Sequence, residues 1–200
     1  TFGHDQGDKA IQTVIDVTKE IEPWLTTMPS VRIEHASLMT DQMFAKIANS
    51  KMNYALVTQP IFFFAEDESY RHYLSPAQFK LAYRVKTMLN SQAMLGLSSD
   101  APCTPWAEPD SPFYSIYAAV TRKAANDDIV NAEEAITVPQ AILGYTRDGA
   151  KIGGFDDNGT LEVGKAADFV ILNDDIFTVA HSELKNIHVN ETWMAGKRVM

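Results

Sequence analysis

Residues 31–58 read VRIEHASLMTDQMFAKIANSKMNYALVT, and three patterns follow one another along them. Val31-Arg32-Ile33-Glu34-His35 is a short β-like run. Thr40 and Asp41 then open a helix, with Met43, Phe44, Ile47 and Ala48 on one face. Met52 to Val57 is a second strand candidate. Strand, helix and strand in succession make a parallel β/α unit, because parallel neighbours need a crossover between them.

The alternation extends in both directions. Upstream, Asp8 is a candidate cap, and Ile11, Val14, Ile15, Thr18 and Ile21 recur at helical spacing before Pro23 and Pro29. Downstream, Gln59 to Leu74 reads as irregular and rich in aromatics. Ser75-Pro76 starts a third helix, whose face carries Phe79, Ala82, Val85, Lys86 and Leu89. Ala93 to Ser98 is a third strand candidate, ending at Ser99-Asp100-Ala101-Pro102. The organisation changes near Ala150. A helix capped by Thr137 runs from Val138 to Arg147, Gly153-Gly154 breaks the chain, and Asp156-Asp157-Asn158-Gly159 makes a tight turn. Short strands then occupy Ala167 to Leu172 and His188 to Met194, and Ala195-Gly196-Lys197 turns the chain into Arg198-Val199-Met200. The expected class is α/β, with residues 1–152 in β/α units and residues 153–200 in a small β unit.

Composition narrows the function classes. The 200 residues are 46% hydrophobic and 22% charged, which excludes disorder and collagen-like repeats. That length is short of the ~250 residues typical of a complete (β/α)₈ barrel. No run of ~18 apolar residues exists, so no membrane-spanning helix is expected. A net charge of −9 repels phosphate backbones and argues against nucleic acid as a partner. The single cysteine, Cys103, excludes an internal disulfide and a cysteine-based zinc finger. The compartment stays open: no signal peptide is visible at Thr1, which favours the cytoplasm, but a chain that starts without Met is expected to lack its true N-terminus.

In parallel β/α proteins, chemistry gathers at the C-terminal ends of the strands. His35 and Asp100 fall at or just past such ends, and His4 stands just before a helix, where a strand would end. Imidazole and carboxylate are common ligands of zinc and related metals. Singly, each residue also has a plain reading: a histidine as a structural hydrogen-bonding group, an aspartate as a turn residue or cap.

The neighbouring words point further. His4-Asp5-Gln6-Gly7-Asp8-Lys9-Ala10, Arg32-Ile33-Glu34-His35-Ala36 and Ser99-Asp100-Ala101-Pro102 resemble, in order, the His-x-x-Gly-Asp-x-Ala, Ile-Glu-His-Ala and Ser-Asp-Ala-Pro motifs of one branch of the amidohydrolase superfamily. Ala119-Val120-Thr121-Arg122 and Tyr145-Thr146 fall where that branch has similar words. The run from Gly159 to Val170 (GTLEVGKAADFV) resembles the superfamily's C-terminal Gly-x-Leu-x-x-Gly-Lys-x-Ala-Asp signature, and Thr192 to Lys197 resembles its closing Thr-x-x-x-Gly-Lys. The resemblance spans nearly the whole chain and is nearest to the amidohydrolase-3 type, the group that contains N-substituted formamide deformylase.

That resemblance implies a TIM-like (β/α)₈ barrel with a small β-sandwich built from both chain ends. His4 and His35 would be metal ligands at the ends of barrel strands five and six. Asp100, after strand eight, would touch the metal and serve as general base and then acid. The reaction implied is hydrolysis of a carbon–nitrogen bond, amide-type and not peptide, in a small-molecule substrate. Metal-activated water would attack, and Asp100 would carry its proton to the leaving nitrogen. Zinc is the expected metal, as one ion or two. In the signature run, Lys165 and Asp168 read as turn and packing residues.

One departure is large. The family needs a His-x-His after its first strand and a Lys or Glu after its fourth. The five histidines here are His4, His35, His72, His181 and His188, and none forms that pair. The chain therefore reads as the second half of a barrel plus the C-terminal part of the sandwich, incomplete and inactive alone. Its partner would be the N-terminal half of the same protein, and an exposed half-barrel edge would drive self-association of the isolated chain. The alternative is a catalytically silent regulatory or binding protein on the same scaffold.

Other residues carry weaker expectations. Gln59, Arg71, His72 and Trp106 are candidate substrate contacts, each with a turn or surface-loop reading beside it. Phe62, Phe63 and Phe64 read as a core or contact cluster rather than a pocket wall. Cys103 has no neighbouring His or basic cluster to activate it.

Overall fold

Tyr54-Ala55-Leu56-Val57-Thr58 carries no charged residue, and it forms a strand buried along its whole length. The computed structural model describes residues 7–102 and 108–200 in full and residues 2–5 as backbone. Strands β1 (Phe2–Asp5), β2 (Val31–His35), β3 (Tyr54–Thr58) and β4 (Met94–Leu97) make one parallel sheet in the order β1-β2-β3-β4. Neighbours in the chain are thus neighbours in space, with no reversal of strand order.

Register aligns the faces. Ile33 pairs with Leu56, and Leu56 pairs with Leu95. This row joins the main core, with helices α1 (Asp8–Thr18), α2 (Asp41–Ala48) and α6 (Pro112–Thr121) packed against it through Ile11, Ile15, Met43, Ile47 and Ile116. On the other face, Ala55 and Val57 meet Ile152 of helix α8 (Arg147–Gly153), with Met94 beside them. Gly96 lets Ile152 sit there: a Cβ at Gly96 would lie 2.9 Å from Ile152 Cδ1 and 3.2 Å from a Val57 methyl.

Local signals explain the helix ends. Thr40 Oγ1 accepts the Met43 N–H at 3.3 Å and starts α2. Helix α7 (Val138–Tyr145) is opened by a reciprocal pair, in which Gln140 Oε1 accepts the Thr137 N–H at 2.8 Å and Thr137 Oγ1 accepts the Gln140 N–H at 3.4 Å. Helix α6 is apolar nearly all round, the composition of a helix inside a core, and so carries no amphipathic stripe for the sequence pattern to reveal.

Two sequence expectations are corrected. Gln59 to Leu74 is not irregular: Pro60–Tyr73 is helix α3, kinked at Glu66. Its first part is buried through Ile61, Phe62 and Phe63, and its second is largely polar, so no single stripe runs through both. The phenylalanines belong to the core, as read. The helix expected from Ser75 to Leu89 is two short ones, α4 (Pro76–Phe79) and α5 (Val85–Leu89). Between them Tyr83 adopts φ +50, its N–H donating to the Ser37 carbonyl at 2.9 Å and its hydroxyl 2.7 Å from that of Tyr70. Burying this phenol outweighs helix continuity.

The C-terminal strands β5 (Phe169–Leu172), β6 (Val189–Met194) and β7 (Lys197–Arg198) form a separate antiparallel sheet. Asp168 ties it together: one carboxylate oxygen accepts the Ala195 N–H at 2.7 Å, the other the Asn158 amide at 2.6 Å. Lys165 reaches the Asp156 carbonyl. Gly159, at φ +90, sits where a Cβ would come within 2.6 Å of Ala150, so only glycine fits. Between β5 and β6 the chain returns Ile176, Leu184 and Ile187 to the main core. Among the described residues no helix is long and apolar enough to cross a membrane.

Helices α1 and α2 are tied on the outside by Asp16, which accepts from Lys46 Nζ at 2.7 Å and Lys19 Nζ at 3.1 Å. Lys46 foremost, then Lys19, holds the Asp16 carboxyl at about 2. Because that lies below the unfolded value of about 3.9, the contribution is full above that value and disappears as pH falls through about 2. Lys46→Met is expected to lower Tm by a degree or so at neutral pH and low salt, since the tie is exposed and screened. Thermal unfolding at about pH 2, or in ~1 M salt, should show no difference from the parent.

Candidate functional site

A cleft of about 430 Å³ opens at the C-terminal ends of β2, β3 and β4. β2 contributes Arg32, Glu34 and His35, the residue after β3 is Gln59, and the segment after β4 brings Ser98, Ser99, Asp100 and Ala101. The two residues with the most chemistry share an unusual backbone. His35 has φ +65 and Asp100 φ +55, left-handed values that are uncommon outside glycine. Such conformations cost of order 1–3 kcal/mol each and persist where the surroundings enforce them. At His35 the chain leaves the sheet in a tight bend, with the Ala36 N–H donating to the Glu34 carbonyl at 2.9 Å and Ala36 itself at φ +46. The His35 side chain is 2% exposed and stacks on Phe62, ring centroids 5.8 Å apart. Phe62 comes from the first turn of α3, so Pro60 at the helix start orients that ring.

Gln59 is equally buried. Its Nε2 donates to Ser98 Oγ at 2.8 Å, linking the end of β3 to the segment that carries Asp100. Arg32 and Glu34 form an ion pair on the side of β2 that faces away from the main core. Glu34 stands in register with His4 on β1, and His35 with Asp5.

The structure therefore brings together three of the residues singled out from sequence: His35, Asp100 and Gln59. His4 is placed by its backbone alone, one strand over from Glu34; its side chain lies outside the described residues, as do Trp106 and Cys103. Arg71 and His72 are not among the residues that line this cleft. Arg71 sits on the last turn of α3, where it pairs with Asp67 at 2.7 Å, donates to the Ile129 carbonyl at 3.0 Å and covers the Phe79 ring. His72, exposed, packs edge-on against Tyr73. Sequence reading did not single out Arg32, Glu34 or Ser98. The first two had a signal: Val31, Ile33 and His35 are buried while the alternate Arg32 and Glu34 are not, the period of a strand with one polar face. Ser98 had none.

The donor types in the cleft, an imidazole and a carboxylate, suit a borderline divalent ion such as zinc. They fit in kind and fall short in number: among the described residues no group of three His, Cys, Asp or Glu could hold a metal ion.

Comparison with known proteins identifies the family. The amidohydrolase family model matches residues 3–200. The N-substituted formamide deformylase of Arthrobacter pascens is 27% identical over 195 residues, which cover 96% of this chain and 35% of that protein. An uncharacterized metal-dependent hydrolase from Pyrococcus horikoshii OT3 superposes with a TM-score of 0.73 at 30% identity, over 90% of this chain and 35% of the other. A second, from Pyrococcus furiosus, gives 0.65 at 31% identity over 83% and 31%. The chain spans about a third of the length of the curated relatives it matches. With a family match along nearly its entire length and a cleft at the strand ends holding the expected histidine and aspartate, the chain belongs to the amidohydrolase family.

Proposed function

We propose that this chain is the second half of a metal-dependent hydrolase barrel that cleaves a carbon–nitrogen bond of the non-peptide amide type in a small molecule. Residues 1–152 would supply the half-barrel and residues 153–200 the C-terminal part of a small sandwich. The observation that carries the reading is the convergence of His35, at the end of β2, and Asp100, after β4, on one cleft. Four parallel strands in sequential order are what a (β/α)₈ barrel contributes from half its circumference. The face bearing Arg32 and Glu34 remains partly open, whereas parallel sheets are normally covered on both faces. The N-terminal half of the same protein is the natural cover.

His4, His35 and Asp100 would hold a divalent ion, zinc foremost, with the remaining ligands supplied by that other half. When bound, such an ion contributes Lewis acidity and lowers the pKa of water at the site. Asp100 takes a proton from the attacking water and returns it to the leaving nitrogen. His35, buried and stacked on Phe62, presents its imidazole in one fixed orientation. Gln59 holds the segment preceding Asp100 against β3 through Ser98.

A second reading, a catalytically silent protein on the same scaffold, is favoured by the incomplete donor set among the described residues. Metal analysis separates the two. The full-length protein, purified under metal-replete conditions, is expected to hold stoichiometric zinc and to lose amide hydrolysis on chelation. A metal-free protein without turnover would support the silent reading.

A further inference from the structure

Ser98 is held on three sides. Its N–H donates to the Thr58 carbonyl at 3.1 Å, one step beyond the last paired residues of β3 and β4. In a parallel ladder the same residue's carbonyl then accepts the next N–H along the neighbouring strand, which here would belong to residue 60. Residue 60 is proline and has no N–H to give. The donor comes instead from α7: the Tyr145 hydroxyl donates to the Ser98 carbonyl at 3.1 Å. Gln59 occupies the side chain, at 2.8 Å from Ser98 Oγ.

Helix α7 can deliver that hydroxyl because it lies close on β4. A Cβ at Gly144 would stand 3.0 Å from Leu97 Cγ, so a larger residue would push the helix, and Tyr145 with it, off the strand. Burial raises the tyrosine's pKa, which keeps the phenol a donor over the whole working range. Asp100 follows Ser98 by two residues and leaves the strand at φ +55. The backbone feeding Asp100 into the cleft is therefore anchored by two groups that sequence places far apart, Gln59 and Tyr145.

We propose that Tyr145 is a positioning residue for Asp100: its hydroxyl replaces the ladder bond that Pro60 cannot make and fixes the strand end from which Asp100 enters the cleft. The proposal rests on the reading of Asp100 as the proton carrier.

Tyr145→Phe in the full-length protein tests it, since the ring and its packing are kept and only the donor is removed. A misplacement of the proton carrier is expected to lower kcat roughly ten- to a hundredfold with KM unchanged. Amide hydrogen exchange at Ser98, whose N–H donates to the Thr58 carbonyl, should quicken about tenfold while that of Leu56, in the centre of β3, stays as it was. The double variant Tyr145→Phe with Pro60→Ala returns an N–H to residue 60 and should recover part of both losses. Unchanged kcat and exchange would overturn the proposal, as would a uniform rise in exchange that includes Leu56, the mark of a purely structural role. Where Tyr145→Phe does not fold, the double variant decides: slow exchange at Ser98 supports the clasp, and fast exchange there in a folded protein overturns it. If Asp100→Asn retains turnover, the reading of Asp100 fails, while the exchange measurement still judges the clasp.

Discussion

Asp100→Asn in the full-length protein is expected to lower kcat by about 10²–10⁴-fold, the usual contribution of a positioned general acid–base group. Asparagine matches the carboxylate in shape but cannot accept a proton from water and pass it on. Folding should be unaffected, because Asp100 is half-exposed at the rim of the cleft and lies outside the hydrophobic core. Steady-state kinetics with a thermal melt as control makes the measurement. Near-normal turnover at unchanged Tm would remove Asp100 from the chemistry. Loss of turnover together with zinc would instead mark it chiefly as a ligand.

Glu134→Ala is expected to produce a large loss of stability although the side chain it removes is charged. The Glu134 carboxylate is almost completely buried. One oxygen accepts the Thr87 N–H at 2.8 Å, and the other accepts the Thr87 hydroxyl at 2.6 Å and lies 3.4 Å from Arg84 Nε. Thr87 is in the first turn of α5, where backbone N–H groups have no partner within the helix, and the residue at the cap position, Arg84, makes no side-chain cap. A carboxylate from a distant segment therefore does the work of a cap and of an ion-pair partner at once. Removing it leaves a buried amide, a hydroxyl and a guanidinium that is only 16% exposed, with Asp41 as the remaining ion partner. Breaking such a set costs about 3 kcal/mol. For a chain of this size that is a fall in Tm of roughly 6–12 °C. Differential scanning calorimetry of the isolated chain or of the full-length protein reads it directly. Glu134→Gln, which keeps the shape, should lose less than half as much, and a fall of under ~2 °C for the alanine variant would show that water replaces the carboxylate without penalty.

Much of the site was readable in the sequence because its parts are local. The alternating run ending at His35, and the short apolar strand that expires before Asp100, place both residues at strand ends. Caps at Thr40 and Thr137 are written in adjacent residues, and the structure has both. The segment after Gln59 was not readable in the same way. Its helix buries one part and exposes the other about a kink at Glu66, so no single periodicity crosses it. Tyr83 breaks the helix expected around it for a reason that lies elsewhere in the chain, the Tyr70 hydroxyl and the Ser37 carbonyl.

By itself, then, the sequence determined the family, the succession of β2, α2, β3 and β4 and the identity of the strand-end histidine and aspartate, because motif words and period depend only on near neighbours. That residue 60 lacks an N–H could be read from its letter. The tertiary structure alone decided what answers for it. Ser98 comes to lie between Gln59, from the neighbouring strand end, and Tyr145, from a helix 47 residues along the chain. A hydrogen bond of that sequence separation leaves no periodic trace; it exists only once the helix has packed onto the strand and left a buried carbonyl in need of a donor.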